Sequence, residues 1–140
     1  MPNPFSRIQQ LDDQARSRIG WLMLRLTLAV LIGAHGWARL LVGGVRPFGA
    51  FLDDQGLMIG IWLAAAVTAI EIVGSILLAL GRLLLPLNLV LSGIYVLGIV
   101  MVHAEAGWFV VGLGRNGSEY SVLLIVSLWA LALQQGRRRP

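Results

Sequence analysis

The side chains able to do chemistry in this sequence are few, and they stand where charge is costly. Glu71 lies within an apolar run from Leu57 to Leu80. A carboxylate there has little water to solvate it, so it marks a functional site with a partner to be named. Arg25, in the first apolar run, is the expected partner. At about 1.5 Å of rise per residue, Arg25 sits ~8 Å and Glu71 ~14 Å in from the same membrane face, a gap that an arginine side chain spans. Thr68, Glu71 and Ser75 follow at i, i+3 and i+7, one polar stripe on one helix face. Two plainer readings stay open. Arg25 could snorkel toward the headgroups, and Glu71 could be half of a structural ion pair and not a proton relay.

A second group gathers at the opposite helix ends. His35 and Arg39 close the first apolar run, His103 and Glu105 close the third, and Arg115 and Glu119 open the fourth. Histidines and carboxylates are ligands for zinc or iron, but no close-spaced histidine pair is present, and no metal centre is expected. A histidine tuned by a neighbouring carboxylate suits proton handling or a quinone headgroup. A structural network at the membrane interface is the third reading of the same residues.

These positions require helices. Four apolar segments, about 20–41, 57–80, 84–103 and 119–135, each approach the ~20 residues that cross a bilayer; the last is short. Gly81-Arg82 forces a tight turn, and Pro86 fits the first turn of the next helix, so spans two and three are antiparallel neighbours. Gly43-Gly44-Val45-Arg46-Pro47 breaks the first helix, and Phe48 to Leu52 could form a short interfacial helix before Asp53-Asp54-Gln55-Gly56. Small residues that permit close packing in lipid recur at Gly33 and Gly36, Ala64 to Ala66, Gly74 and Ser75, and Gly93 and Gly98. The expected fold is all-α: an antiparallel, up-down, four-helix membrane bundle over 20–135. A polar tail precedes it (1–19) and a basic tail follows it (136–140).

Composition agrees. The chain has 140 residues, 57% hydrophobic and 13% charged, against about a quarter charged in soluble domains. Mean hydropathy is +0.78. The net charge of +4 is carried by arginines that flank apolar runs, which sets topology and is no nucleic-acid footprint. Arg7, Arg16, Arg18, Arg82 and Arg137 to Arg139 fall on one side, and only Arg39, Arg46 and Arg115 on the other. The expectation is a multi-pass protein of the cell inner membrane with both termini cytoplasmic. Trp21, Trp62, Trp108 and Trp129 lie near span ends, as aromatic belts do. Residues 1–18 are polar and no cleavage site follows, so the first span is expected to be retained. With no cysteine, dithiol chemistry and cysteine-ligated clusters are excluded within this chain.

Taken in order, several short motifs resemble the DoxX family of small four-helix bacterial membrane proteins. They are Arg25 with Ala34-His35-Gly36-Trp37-Ala38-Arg39, the Phe48–Gly56 loop, Glu71-Ile72-Val73-Gly74-Ser75 with the Leu-rich run to Arg82, then His103 and Glu119. Ser75 replaces a common second glycine, and Arg39 a frequent lysine. The resemblance implies association with redox systems and quinones, and members include a DoxD-like subunit of thiosulfate:quinone oxidoreductase. On that reading the chain is an accessory or quinone-interacting subunit. His35, Arg39, His103 and Glu119 would hold the headgroup, with Glu105, Arg115 and Ser75 secondary. Arg25 and Glu71 would be the inner pair. No cofactor is bound covalently, and electrons would come from a partner oxidoreductase chain; a homo-oligomer is the other expected assembly. The alternative is a scaffold or assembly protein without chemistry of its own.

Overall fold

The computed structural model describes residues 12–135. Arg7, the rest of 1–11 and the basic tail 136–140 lie outside the described residues. Among those described there are five α-helices and no strand: α1 (Asp13–Leu41), α2 (Val45–Asp54), α3 (Gly60–Leu80), α4 (Leu84–Gly98) and α5 (Glu119–Gln135). A π-helical turn, Ile99–His103, prolongs α4. α1, α3 and α4 with its π turn are long and apolar enough to cross a membrane; α5 is shorter. The chain is a multi-pass membrane protein.

Local signals explain the boundaries. α1 starts seven residues before the apolar run because Asp12 caps it, accepting the Ala15 N–H at 2.6 Å. An exposed Asp13–Arg16 pair supports that polar first turn. Hydropathy does not register a capped polar turn, which is why the sequence placed the start at 20. α2 is longer than the Phe48–Leu52 segment and buries Gly49 and Leu52. α3 begins at Gly60, not Leu57, because Asp53 accepts the Gly60 N–H at 2.6 Å, fixing α2 across the start of α3. α3 ends at Gly81, whose φ of +69° is the left-handed cap that glycine adopts without Cβ strain. Pro86 sits in the first turn of α4, where its missing N–H has no helical partner to lose.

One core unites the long helices: Leu28 and Ile32 from α1, Leu78 from α3, Leu91 from α4, and Leu124 and Leu128 from α5. Opposite faces are apolar and bare, with Val30 69%, Trp62 75% and Leu133 74% exposed. In water such a surface would aggregate; in a bilayer it is solvated by lipid.

Glycine sets the register between α1 and α3. A Cβ on Gly33 would lie 2.8 Å from the Ser75 hydroxyl, and one on Gly36 would lie 3.0 Å from Glu71 Cβ and 3.1 Å from the Thr68 carbonyl. Residues 33 and 36 therefore face 75 and 68–72, and the helices run antiparallel. Gly36→Val is expected to wedge them apart and cost about 1–3 kcal/mol. Thermal unfolding in detergent micelles measures this; an unchanged midpoint would mean that the helices do not touch there.

Candidate functional site

The close approach at Gly36 brings the last turn of α1 over the middle of α3. Arg39, one turn beyond Gly36, reaches down and places Nη1 2.7 Å from Glu71 Oε2. The same nitrogen donates to Thr68 Oγ1 at 3.2 Å, and Thr68 donates to the Ala64 carbonyl at 2.7 Å. The guanidinium lies 4.7 Å from the centre of the Phe48 ring, a cation–π contact supplied by α2. The Glu71 side chain is 4% exposed and that of Arg39 20%. The pair is thus nearly dry, and each charge depends on the other for its solvation.

This corrects the pairing expected from the sequence. Glu71 joins Arg39, and not Arg25. The glycine register sets Arg25 about eleven residues before Gly36, the α1 position facing Glu71, roughly 16 Å at helical rise, beyond the reach of its side chain. Arg25 instead lies on the interior stripe of α1 with Leu28, Ala29 and Ile32, and its Nε has no hydrogen-bond partner among the described residues.

Around the pair opens a cavity of about 420 Å³, within the ~300–1,000 Å³ typical of small-molecule sites. Its walls are mainly apolar, with Phe48, Phe51 and Leu52 of α2 facing Ile94 and Leu97 of α4. The polar groups that reach it are His35, Arg39, Glu71, Tyr95, His103, Asn116, Tyr120 and Ser121. His103 comes from the π-helical turn that ends α4. Its Nδ1 lies 2.7 Å from the Asn116 carbonyl. A carbonyl only accepts, so Nδ1 carries the proton, and a neutral ring leaves Nε2 as an acceptor. His35 packs its ring against Tyr120, centroids 5.9 Å apart.

Of the residues singled out in the sequence, His35, Arg39, His103 and Glu71 share this cavity. Glu119 does not line it. Its Oε1 accepts the Val110 N–H at 2.9 Å, and its own N–H donates to the Trp108 carbonyl, folding the 104–118 loop onto the start of α5. Glu105 and Arg115 are exposed and also lie away from the cavity. Ser75 is packed against Gly33 and donates to the Ile72 carbonyl at 2.8 Å. Among the described residues, no three His, Asp or Glu side chains come together as metal ligands.

Tyr95 was missed in the sequence. It is 9% exposed, faces the cavity, and its hydroxyl has no partner among the described residues. Burying a hydroxyl unpaired costs about 1–3 kcal/mol, so its retention needs a reason. The available signal was spacing: Asn88, Ser92 and Tyr95 at i, i+4 and i+7 make a polar stripe in an apolar helix, as Thr68, Glu71 and Ser75 do in α3.

The DoxX family model matches residues 20–104, more than half of the chain. The match covers α1 from residue 20 and then α2 to α4 with the π turn, including Arg39, Glu71, Tyr95 and His103, and ends before Glu119. No curated protein and no solved structure shows significant similarity.

Proposed function

The chain belongs to the DoxX family, and from that premise we propose that it is a quinone-interacting accessory subunit of a membrane oxidoreductase system. The observation that carries this reading is the cavity itself. Its walls are apolar and aromatic, and its polar groups converge on the Arg39–Glu71 pair and the unpartnered Tyr95 hydroxyl. A quinone headgroup is flat, apolar on its faces, and carries carbonyl acceptors at its edges. Phe48 and Phe51 offer faces for the ring, and the Arg39 N–H groups and the Tyr95 O–H are donors for the carbonyls. Glu71 and the His103 ring are the proton-exchanging groups beside it. The exposed Leu97 side chain on the cavity wall suits a prenyl tail leaving toward lipid.

In this reading four helices cross the inner membrane. The start of α1 and the Arg82 turn lie at the cytoplasmic face, and the cavity opens in the outer half of the bilayer. The chain binds and positions the quinone. In the same reading electrons reach it from a partner oxidoreductase chain.

Titration of the purified protein with a short-tailed ubiquinone, followed by tryptophan quenching, tests this. Saturable binding is expected, weakened about tenfold by His103→Ala, a loss of about 1.4 kcal/mol. Glu119→Gln, outside the cavity, leaves it unchanged. Binding that never saturates would overturn the reading and leave the scaffold role.

A further inference from the structure

Three buried polar side chains of α4 are left without a full set of partners, and all three lie on one stripe. Tyr95 is 9%, Ser92 7% and Asn88 0% exposed. Among the described residues, the Tyr95 hydroxyl, the Ser92 hydroxyl and the Asn88 Oδ1 have no hydrogen-bond partner. Asn88 uses its other end, donating Nδ2 to the Leu128 carbonyl of α5 at 2.7 Å, which points the amide into the bundle. At spacing i, i+4 and i+7 the stripe runs about 10 Å down α4 from the cavity wall, toward the Arg82 turn. Arg25, with its own unpartnered Nε, stands on the interior stripe of α1 nearer that turn. A single orphaned hydroxyl at the cavity wall is answered by a ligand in the cavity. A file of them, beginning at a cavity and ending toward a membrane face, is a pattern. Buried water characteristically bridges such groups, making about three hydrogen bonds each.

We propose that the cavity continues into the bundle as a hydrated polar file past Tyr95, Ser92 and Asn88, connecting the Arg39–Glu71 site with the membrane face that carries the Arg82 turn. Water held along Ser92 and Tyr95 relays protons between that face and Glu71, since a hydroxyl both donates and accepts. Asn88 anchors water without exchanging a proton of its own. The file therefore gives the site a proton connection to the side opposite its opening. This inference is independent of which ligand fills the cavity.

The chain has no cysteine, so a single introduced one is a clean reporter. In proteoliposomes, Ser92→Cys is expected to react with the small aqueous reagent 2-aminoethyl methanethiosulfonate at least about tenfold faster than Ser75→Cys. Ser75 is similarly buried, at 5%, but its hydroxyl is satisfied by the Ile72 carbonyl and packed against Gly33. Adding Asn88→Leu to Ser92→Cys plugs the file and should cut the rate about tenfold; Asn88→Ser should keep it. Equal reactivity at 92 and 75 would overturn the proposal. Ser92→Cys reactivity unaffected by Asn88→Leu would overturn the connection to the Arg82 face, because access would then come from the cavity alone.

Discussion

Arg39→Met is expected to destabilise the bundle by about 3–5 kcal/mol, the range for stripping one partner from a buried ion pair. The cause is what remains. Glu71 keeps its place in α3 because Gly36 holds the two helices in contact, so its carboxylate, 4% exposed, cannot swing out to water. It must stay charged and unpaired, or take up a proton, and both are costly. Arg39 also loses its Thr68 bond and its contact with the Phe48 ring, loosening α2 over the top of α3. The double variant Arg39→Met with Glu71→Met should recover most of the loss, since a packed apolar pair often replaces a buried salt bridge without penalty. A double-mutant cycle, read by thermal unfolding in one detergent, isolates the coupling. A loss below about 1 kcal/mol for Arg39→Met would place the pair among solvated surface bridges.

Tyr95→Phe should separate stability from binding. Removing the hydroxyl deletes an unpartnered polar atom from the bundle, so the unliganded protein should keep its melting temperature or gain slightly. Affinity for a short-tailed quinone should fall about tenfold, the weight of one hydrogen bond of roughly 1.4 kcal/mol. Calorimetric titration beside thermal unfolding gives both numbers. Equal losses of stability and affinity would make Tyr95 a packing residue. Unchanged affinity would remove it from the ligand's contacts.

How far the molecule could be read from its sequence depended on whether the deciding interaction is local. Apolar runs, the Gly81 turn and Pro86 act within a few residues, and they located the long helices to within a few residues at most ends. The start of α1 was displaced because its cap, Asp12, and its ion pair are polar. Glu71 was conspicuous because charge among aliphatics is rare, but its partner was set by inter-helix register. Gly33 and Gly36 hold that register, and only their facing residues, Ser75, Thr68 and Glu71, reveal which arginine arrives. The reach of Glu119 to Val110 was hidden for a similar reason, since it depends on the path of the 104–118 loop. Tyr95 escaped notice because a lone tyrosine in an apolar helix reads as a packing aromatic, and the fate of its hydroxyl depends on neighbouring helices. The stripe it forms with Asn88 and Ser92 was legible by spacing alone.

The proposed function requires the space between α2 and α4, beside the Arg39–Glu71 pair, to hold a quinone headgroup. Photolabelling tests it most directly: the purified protein is irradiated with an azido-quinone, digested and mapped by mass spectrometry, with and without excess unlabelled quinone. The competed label is expected on α2 around Phe48 to Leu52 and on α4 and its π turn around Tyr95 to Met101. Label confined to lipid-facing positions such as Val30 and Leu133, or undiminished by competitor, would contradict it.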